Sequence, residues 1–395
     1  MTENPIGVFR PIGRRGLGAV STPQILLLAG SFLSLMFFAA PAPSSAEGLG
    51  ARGPGGSGIM IGAKIYEYSG DFARLFEAWR EVGVNTAFVS PALASNPEFR
   101  ALAKKNGVAM FIIFPVFFDD EELAAHPDLY AVTDRGRRAE DDWVKFVCPT
   151  RSDYLARKVE ELGTLVRETD PEGVSLDFIR FFVFWEMIGP ERTLESLPNS
   201  CFDPSCLESF RKATGIALPA NPAGPAETAR WILARHLREW TDWKCGVIAD
   251  AVRRLAGEAR RIKPGVKVNI HTVPWRSGDF GGAIRIVAGQ DLARLAPLVD
   301  YISPMCYHHM VRRTPAWVHS VVEDAAKSAK AALLIPSIQV KEAYITAPES
   351  PAEFREALVE ALKPPSRGVV FWNWATLAES AEKVEAVKSV LGARR

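Results

Sequence analysis

The sequence predicts an α/β protein, a single (β/α)8 barrel with long loops after its third and fourth strands. Three observations lead there. From residue 59 onward, short runs rich in β-branched and aromatic residues alternate with helical patterns. Eight such runs can be counted. Most are apolar almost throughout, which marks parallel strands buried on both faces.

The first four strands are read at 59–68 (IMIGAKIYEY), 84–90 (VNTAFVS), 108–118 (VAMFIIFPVFF) and 173–181 (GVSLDFIRF). The last four are read at 266–274 (VKVNIHTVP), 301–308 (YISPMCYH), 332–340 (ALLIPSIQV) and 368–374 (GVVFWNW). Helices are expected near 71–82, 97–106, 152–169, 227–262, 290–298, 315–330, 351–362 and 377–391. Their apolar residues recur at helical spacing, as in DFARLFEAWREVG, and Ser350-Pro351 before AEFREALVEAL is a start signal. Eight β/α units close most economically into a barrel. A doubly wound open sheet is the competing topology, and it would more often carry a nucleotide loop. The match to that loop's fingerprint, GPGGSG at 53–58, precedes a strand instead of following one, so it lacks the required context.

Residues 1–46 read as a secretory signal. Arg14 and Arg15 precede the apolar stretch 25–40, and small residues at Ser44 and Ala46 set cleavage after Ala46. The apolar run is shorter than the ~20 residues of a spanning helix, although an uncleaved anchor is the alternative. A flexible linker, 47–58, joins this segment to the barrel domain, 59–391. The mature chain is therefore expected to be periplasmic or secreted, without a membrane span. A net charge of +1 gives no reason to expect nucleic acid as a partner. Export permits disulfides, and Cys201 and Cys206 could close a small loop. Five cysteines leave at least one thiol free. No pair has the two-residue spacing of a zinc knuckle, so neither a structural metal nor a cofactor is expected.

On a barrel, the C-terminal ends of the strands carry the active site, and long loops there shape the cleft. Polar and aromatic residues gather at those ends. The first strand ends with Tyr66 and Glu67, and the fourth supplies Asp177 and Arg180. The fifth gives His271 and then Trp275, the sixth Tyr307 and His308, the seventh Gln339, and the eighth Trp372 and Asn373. Aromatic rings beside carboxylates suit a sugar, whose faces stack on rings while its hydroxyls bond to Asp, Asn, Gln and His. Trp275 and Trp372 are the candidate platforms. Trp372 and Trp374 alternate and should face the same side of the eighth strand. Trp79, Trp231, Trp240 and Trp243 lie within helices and are read as packing residues.

GVSLDFIRF resembles the fourth-strand motif of the bacterial glycosyl-hydrolase-like (β/α)8 barrel families. HPDLYAVTDRG with FVCP is similar to their third loop, and FDPSCLESFRKATGI to the insertion after strand four. DYISPMCYH and GVVFWNWATL resemble their sixth and eighth strands. The resemblance spans about residues 59–390 and implies a barrel that hydrolyses glycosidic bonds in a polysaccharide or oligosaccharide.

Glycosidases usually employ two carboxyl groups. Asp177 is the first, as nucleophile or charge stabiliser, kept ionised by Arg180. The bland alternative is a structural Asp–Arg bridge. For the second carboxyl, Glu186, Glu67, Asp279 and Glu342 compete. Glu186 is favoured, because the aromatic setting FFVFWEM would raise its pKa towards that of a general acid. A chitinase-like pattern would place an acid where Ile179 stands, which disfavours substrate-assisted hydrolysis. His308 and His309, if both on a strand, would point to opposite faces. Two rival functions stand beside hydrolysis: a non-catalytic carbohydrate-binding barrel, and an envelope deacetylase in which His271, His308 and Asp177 share a metal.

Overall fold

The computed structural model describes residues 58–220 and 222–393, so the expected signal and all of the linker except Gly58 lie outside the described residues. The main sheet contains β1 (Met60–Ile65), β2 (Thr86–Val89), β3 (Ala109–Pro115), β6 (Gly173–Asp177), β7 (Lys267–Thr272), β8 (Tyr301–Pro304), β9 (Leu333–Leu334), β10 (Ser337–Gln339) and β11 (Gly368–Trp372). A separate antiparallel ribbon is formed by β4 (Glu140–Asp141) and β5 (Val144–Lys145).

The nine-stranded sheet has the order β10-β11-β1-β2-β3-β6-β7-β8-β9, and every pairing in it is parallel. Chain order never reverses across the sheet, so it has no switch point of the doubly wound kind. The sheet is curled and barrel-like. Its two outermost strands, β9 and β10, are consecutive in the chain, and a parallel bridge joins Met305 to Ser337 beside them.

The seventh predicted strand is thus interrupted, and Pro336 supplies the reason. Ile335 N–H still donates to Ile302 O at 3.0 Å on one side, and Pro336 O accepts from Val370 N at 2.9 Å on the other. Proline has no N–H to continue the ladder. The eighth strand also stops early, at Trp372. Trp374 begins a short helix and packs edge-on against Trp79 at 6.0 Å, so the two tryptophans do not share a strand face. The helix expected at 227–262 is two, Pro225–Arg235 and Leu237–Ile262.

Alternation along β6 explains GVSLD. Val174 and Leu176 are buried, while Ser175 meets Asn269 and His271 of β7. Gly173 shares the Ser175 face, where a Cβ would lie 2.3 Å from the Phe111 ring; Gly62 likewise yields to Phe88, at 2.7 Å. Two strands therefore give up side chains to seat two phenyl rings, in keeping with close packing. Asp177 is the last residue on that face, at the mouth.

Candidate active site

One pocket opens at the C-terminal strand ends. Asp177, Arg180 and Glu186 line it together with Lys64, Tyr307 and Trp372. Tyr66 and Trp143 also contribute, with Phe178 and Met305 beside them. Asp177 ends β6, and Glu186 sits in a single 3-10 turn, Trp185–Met187, on the long loop that follows. Trp143 comes from the other long loop, at the β4–β5 ribbon. Its indole N–H donates to Tyr344 Oη at 2.5 Å.

The turn out of β6 is strained. Phe178 has φ +49°, which costs a bulky residue about 1–3 kcal/mol. Aromatic neighbours hold it there: Phe118 stacks on it at 4.7 Å, and Phe146 and Trp143 meet it edge-on at 6.0 and 6.2 Å. In that conformation its N–H donates to Asp177 Oδ1 at 2.8 Å.

Arg180 is 2% exposed and lies over the rings of Phe146 and Phe178, at 4.7 and 5.5 Å. It forms no ion pair within 4.0 Å with Asp177 or Glu186; the nearest thing to a structural Asp–Arg bridge is long-range attraction. Arg180 Nη1 and Glu186 Oε2 are buried and hydrogen-bond to nothing in the protein. Such groups are costly to bury unless something pairs with them.

The two carboxyls differ in charge state. Burial pushes Asp177 up, but His271, Lys64, the Phe178 N–H and Arg180 more than offset it, leaving the pKa below its usual value. His271 cannot supply that charge at neutral pH, because burial, with Lys64, pushes it down to about 3. The counter-charges are therefore Lys64 and Arg180. Burial pushes Lys64 down to about 8, with Asp177 opposing, so the ammonium persists at neutral pH. Burial pushes Glu186 up to about 7; Arg180 and a backbone hydrogen bond oppose this, and the Asp177 charge adds to it.

Aromatic walls complete the pocket. Tyr307 and Trp372 stack at 4.4 Å with an interplanar angle of 13°, and the Tyr307 hydroxyl contacts Lys64 Nζ at 3.4 Å. Beneath lies a polar chain inside the barrel. Ser303 Oγ donates to Asn269 Oδ1 (3.0 Å), and Asn269 Nδ2 donates to Ser175 Oγ (2.8 Å). Ser175 Oγ also hydrogen-bonds His271 Nε2, 3.0 Å away, with the direction set by the ring tautomer.

Six of the residues expected from the sequence thus meet here: Tyr66, Asp177, Arg180, Glu186, Tyr307 and Trp372. The other six do not line the pocket. Glu67 is exposed, and His271 belongs to the polar chain below. Trp275 is buried against Phe280 at 5.4 Å. Gln339 accepts from Met310 N and donates to Lys341 O, and Asn373 caps the helix Trp374–Ala378. His308 and His309 lie past the end of β8 in a turn, so the opposite-face expectation fails. Both bond the same Glu353 oxygen, at 3.2 and 2.9 Å. His271, His308 and Asp177 do not gather as metal ligands; among the described residues the one group placed for that is Cys148, Cys201, Asp203 and Cys206.

Sequence reading missed Lys64 and Trp143. Lys64 carried the same signal as Asp177, a charge inside an apolar strand, two residues before Tyr66 and on its face. Trp143 carried none, since only the folded loop brings it over the pocket.

A curled, barrel-like parallel sheet thus carries two buried carboxyls and aromatic walls in one pocket at its C-terminal mouth. No protein-family model matches the chain, and no curated protein matches its sequence. Solved structures do. The PgaB (BpsB) glycoside hydrolase domain from Bordetella bronchiseptica is similar with TM-score 0.62 and 12% identity, over 84% of this chain and 98% of that one. The β-galactosidase from the psychrophilic Marinomonas ef1 is similar with TM-score 0.61 and 10% identity, over 85% of this chain and 59% of that one. Gan42B, a GH42 β-galactosidase from G. stearothermophilus, gives TM-score 0.56 and 13% identity, over 85% of this chain and 56% of that one. The chain therefore shares the fold of glycoside hydrolases and spans somewhat over half the length of these β-galactosidases.

Proposed function

We propose that the protein is an exported glycoside hydrolase in which Glu186 is the general acid and Asp177 the nucleophile or charge stabiliser. The observation that carries this is one pocket holding two buried carboxyls whose surroundings push their pKa values apart, Asp177 below its usual value and Glu186 up to about 7. Environments that push paired carboxyls apart in this way mark the acid and the base of a site. The likeness in fold to glycoside hydrolases supports the same reading, as does counting β9 and β10 as one barrel strand split at Pro336, which makes the fold eightfold.

In this mechanism Glu186 gives its proton to the leaving glycosidic oxygen. Asp177, anchored by the Phe178 N–H and countered by Lys64, faces the positive charge that develops on the sugar ring. Arg180 Nη1 offers a donor to a sugar oxygen, and the stacked Tyr307–Trp372 pair offers an apolar wall.

The test is hydrolysis across a panel of polysaccharides and aryl glycosides by the wild-type chain and by Asp177→Asn. Turnover that is abolished in the variant, with sugar binding retained, is the expected result. Sugar binding in both proteins with turnover in neither would contradict the proposal in favour of a binding protein.

A further inference from the structure

Away from the pocket, the two long loops meet at a cluster of buried sulfurs. Cys148 closes the first loop, and Cys201 and Cys206 flank Asp203 on the second. Their ligand atoms, with a carboxylate oxygen of Asp203, all lie within 4.8 Å of one another. Cys148 Sγ and Cys206 Sγ are 3.2 Å apart, and Cys201 Sγ is 3.2 Å from Asp203 Oδ2. No pair is bonded as a disulfide; all five cysteines are free, including Cys201 and Cys206, whose spacing would have allowed a small closed loop.

We propose that this cluster is a structural zinc site with three thiolate ligands, Cys148, Cys201 and Cys206, and one carboxylate ligand, Asp203. Four donors converging on one point is the requirement of tetrahedral zinc. Bonds of ~2.3 Å to sulfur put tetrahedral ligand atoms about 3.8 Å apart, inside the spread seen here. Three thiolates beside one oxygen select a soft or borderline ion over calcium or magnesium.

The surroundings are those of a bound metal rather than of ordinary core thiols. Val132 N–H donates to Cys201 Sγ at 3.2 Å, and Thr150 Oγ1 lies 3.1 Å from both Cys148 Sγ and Cys206 Sγ. Asp203 is fixed from behind: its Oδ1 accepts from Cys206 N at 2.7 Å, and Arg151 stands 3.7 Å from Oδ2. Such second contacts orient the ligands. Three thiolates and a carboxylate around Zn2+ would leave two negative charges, and the Arg151 guanidinium beside Asp203 offsets part of them. The inference does not depend on the hydrolytic reading. It gives the two loops that bring Trp143 and Glu186 to the pocket a common staple.

Elemental analysis of the full-length chain, purified without added metal and dialysed, tests it. About one zinc per chain is expected in the wild type and in Cys245→Ser, whose thiol lies outside the cluster, and almost none in Cys148→Ser or Cys206→Ser. Cobalt substitution of the unaltered chain stands independently of whether those variants fold. It should give strong sulfur-to-cobalt charge-transfer bands with tetrahedral visible bands. Zinc-free protein with three free thiols rather than five, after unfolding, would show a disulfide instead and overturn the proposal. So would five free thiols that take up neither zinc nor cobalt, or zinc content unchanged in Cys148→Ser.

Discussion

The ends of β6 and β8 both carry buried charge, yet they manage it differently. Beyond β8, Glu353 takes both His308 and His309, and Glu349 pairs with Lys383 at 3.0 Å. Lys383 also donates to Val340 O at 2.6 Å. Both carboxyls there, Glu349 and Glu353, have a basic partner within 4.0 Å. Beyond β6, Asp177, Arg180 and Glu186 share a pocket without an ion pair, and two of their polar atoms have no partner at all. The first arrangement pairs its carboxyls with basic groups of the protein, although Glu349 Oε1 and His308 Nδ1 are also buried without a hydrogen bond. The second leaves two carboxyls without an ion pair in a pocket open at the strand ends, and that makes it the candidate site.

Substitutions should separate the two regions. Asp177→Asn is expected to lower kcat by more than the ~10²–10⁴-fold that a proton-transfer residue contributes, with little change in melting temperature. Glu186→Gln should cost about 10²–10⁴-fold on substrates with poor leaving groups and far less on activated aryl glycosides, which need no proton. Lys383→Met should do the reverse, costing about 3–5 kcal/mol in denaturant unfolding by leaving Glu349 buried and unpaired, while kcat of the folded fraction holds. Activity lost in the Lys383 variant at full stability would collapse the distinction between the regions.

A finer test lies in stability against pH. The folded-state pKa of Glu186 is raised from 4.5 to about 7, so the folded protein binds the extra proton across that window. Its stabilising contribution is complete below pH 4.5 and is lost as pH rises to about 7, a change of about 3 kcal/mol at 1.36 kcal/mol per unit. Glu186→Gln should therefore match the wild type in the acid range and exceed it at pH 8, trading turnover for stability. Parallel stability curves for the two proteins across that range would show that Glu186 is not desolvated as described.

Much of the fold was legible because apolar runs and helical spacing are local signals. Its failures were local too. Pro336 within ALLIPSIQV already announced the break between β9 and β10. At the site, Asp177 and Arg180 were visible because charges stand out in an apolar strand, and Lys64 should have been. Whether a strand-end residue faces the pocket or the outside depends on how the chain turns, which is why Gln339, Asn373 and His308 read like site residues and are not lining it. The sulfur cluster was invisible to spacing, since Cys148 and Cys206 lie 58 residues apart, with a helix and β6 between them.

The most direct test of the paired-carboxyl claim is the pH dependence of kcat/KM on an unactivated glycoside, whose leaving group needs a proton, for the wild type and Glu186→Gln. The account predicts that the wild type loses activity as pH rises through about 7, where Glu186 gives up its proton, and that the Gln variant shows no such limb. A limb near 7 that persists in the variant would contradict the assignment of Glu186 as the acid.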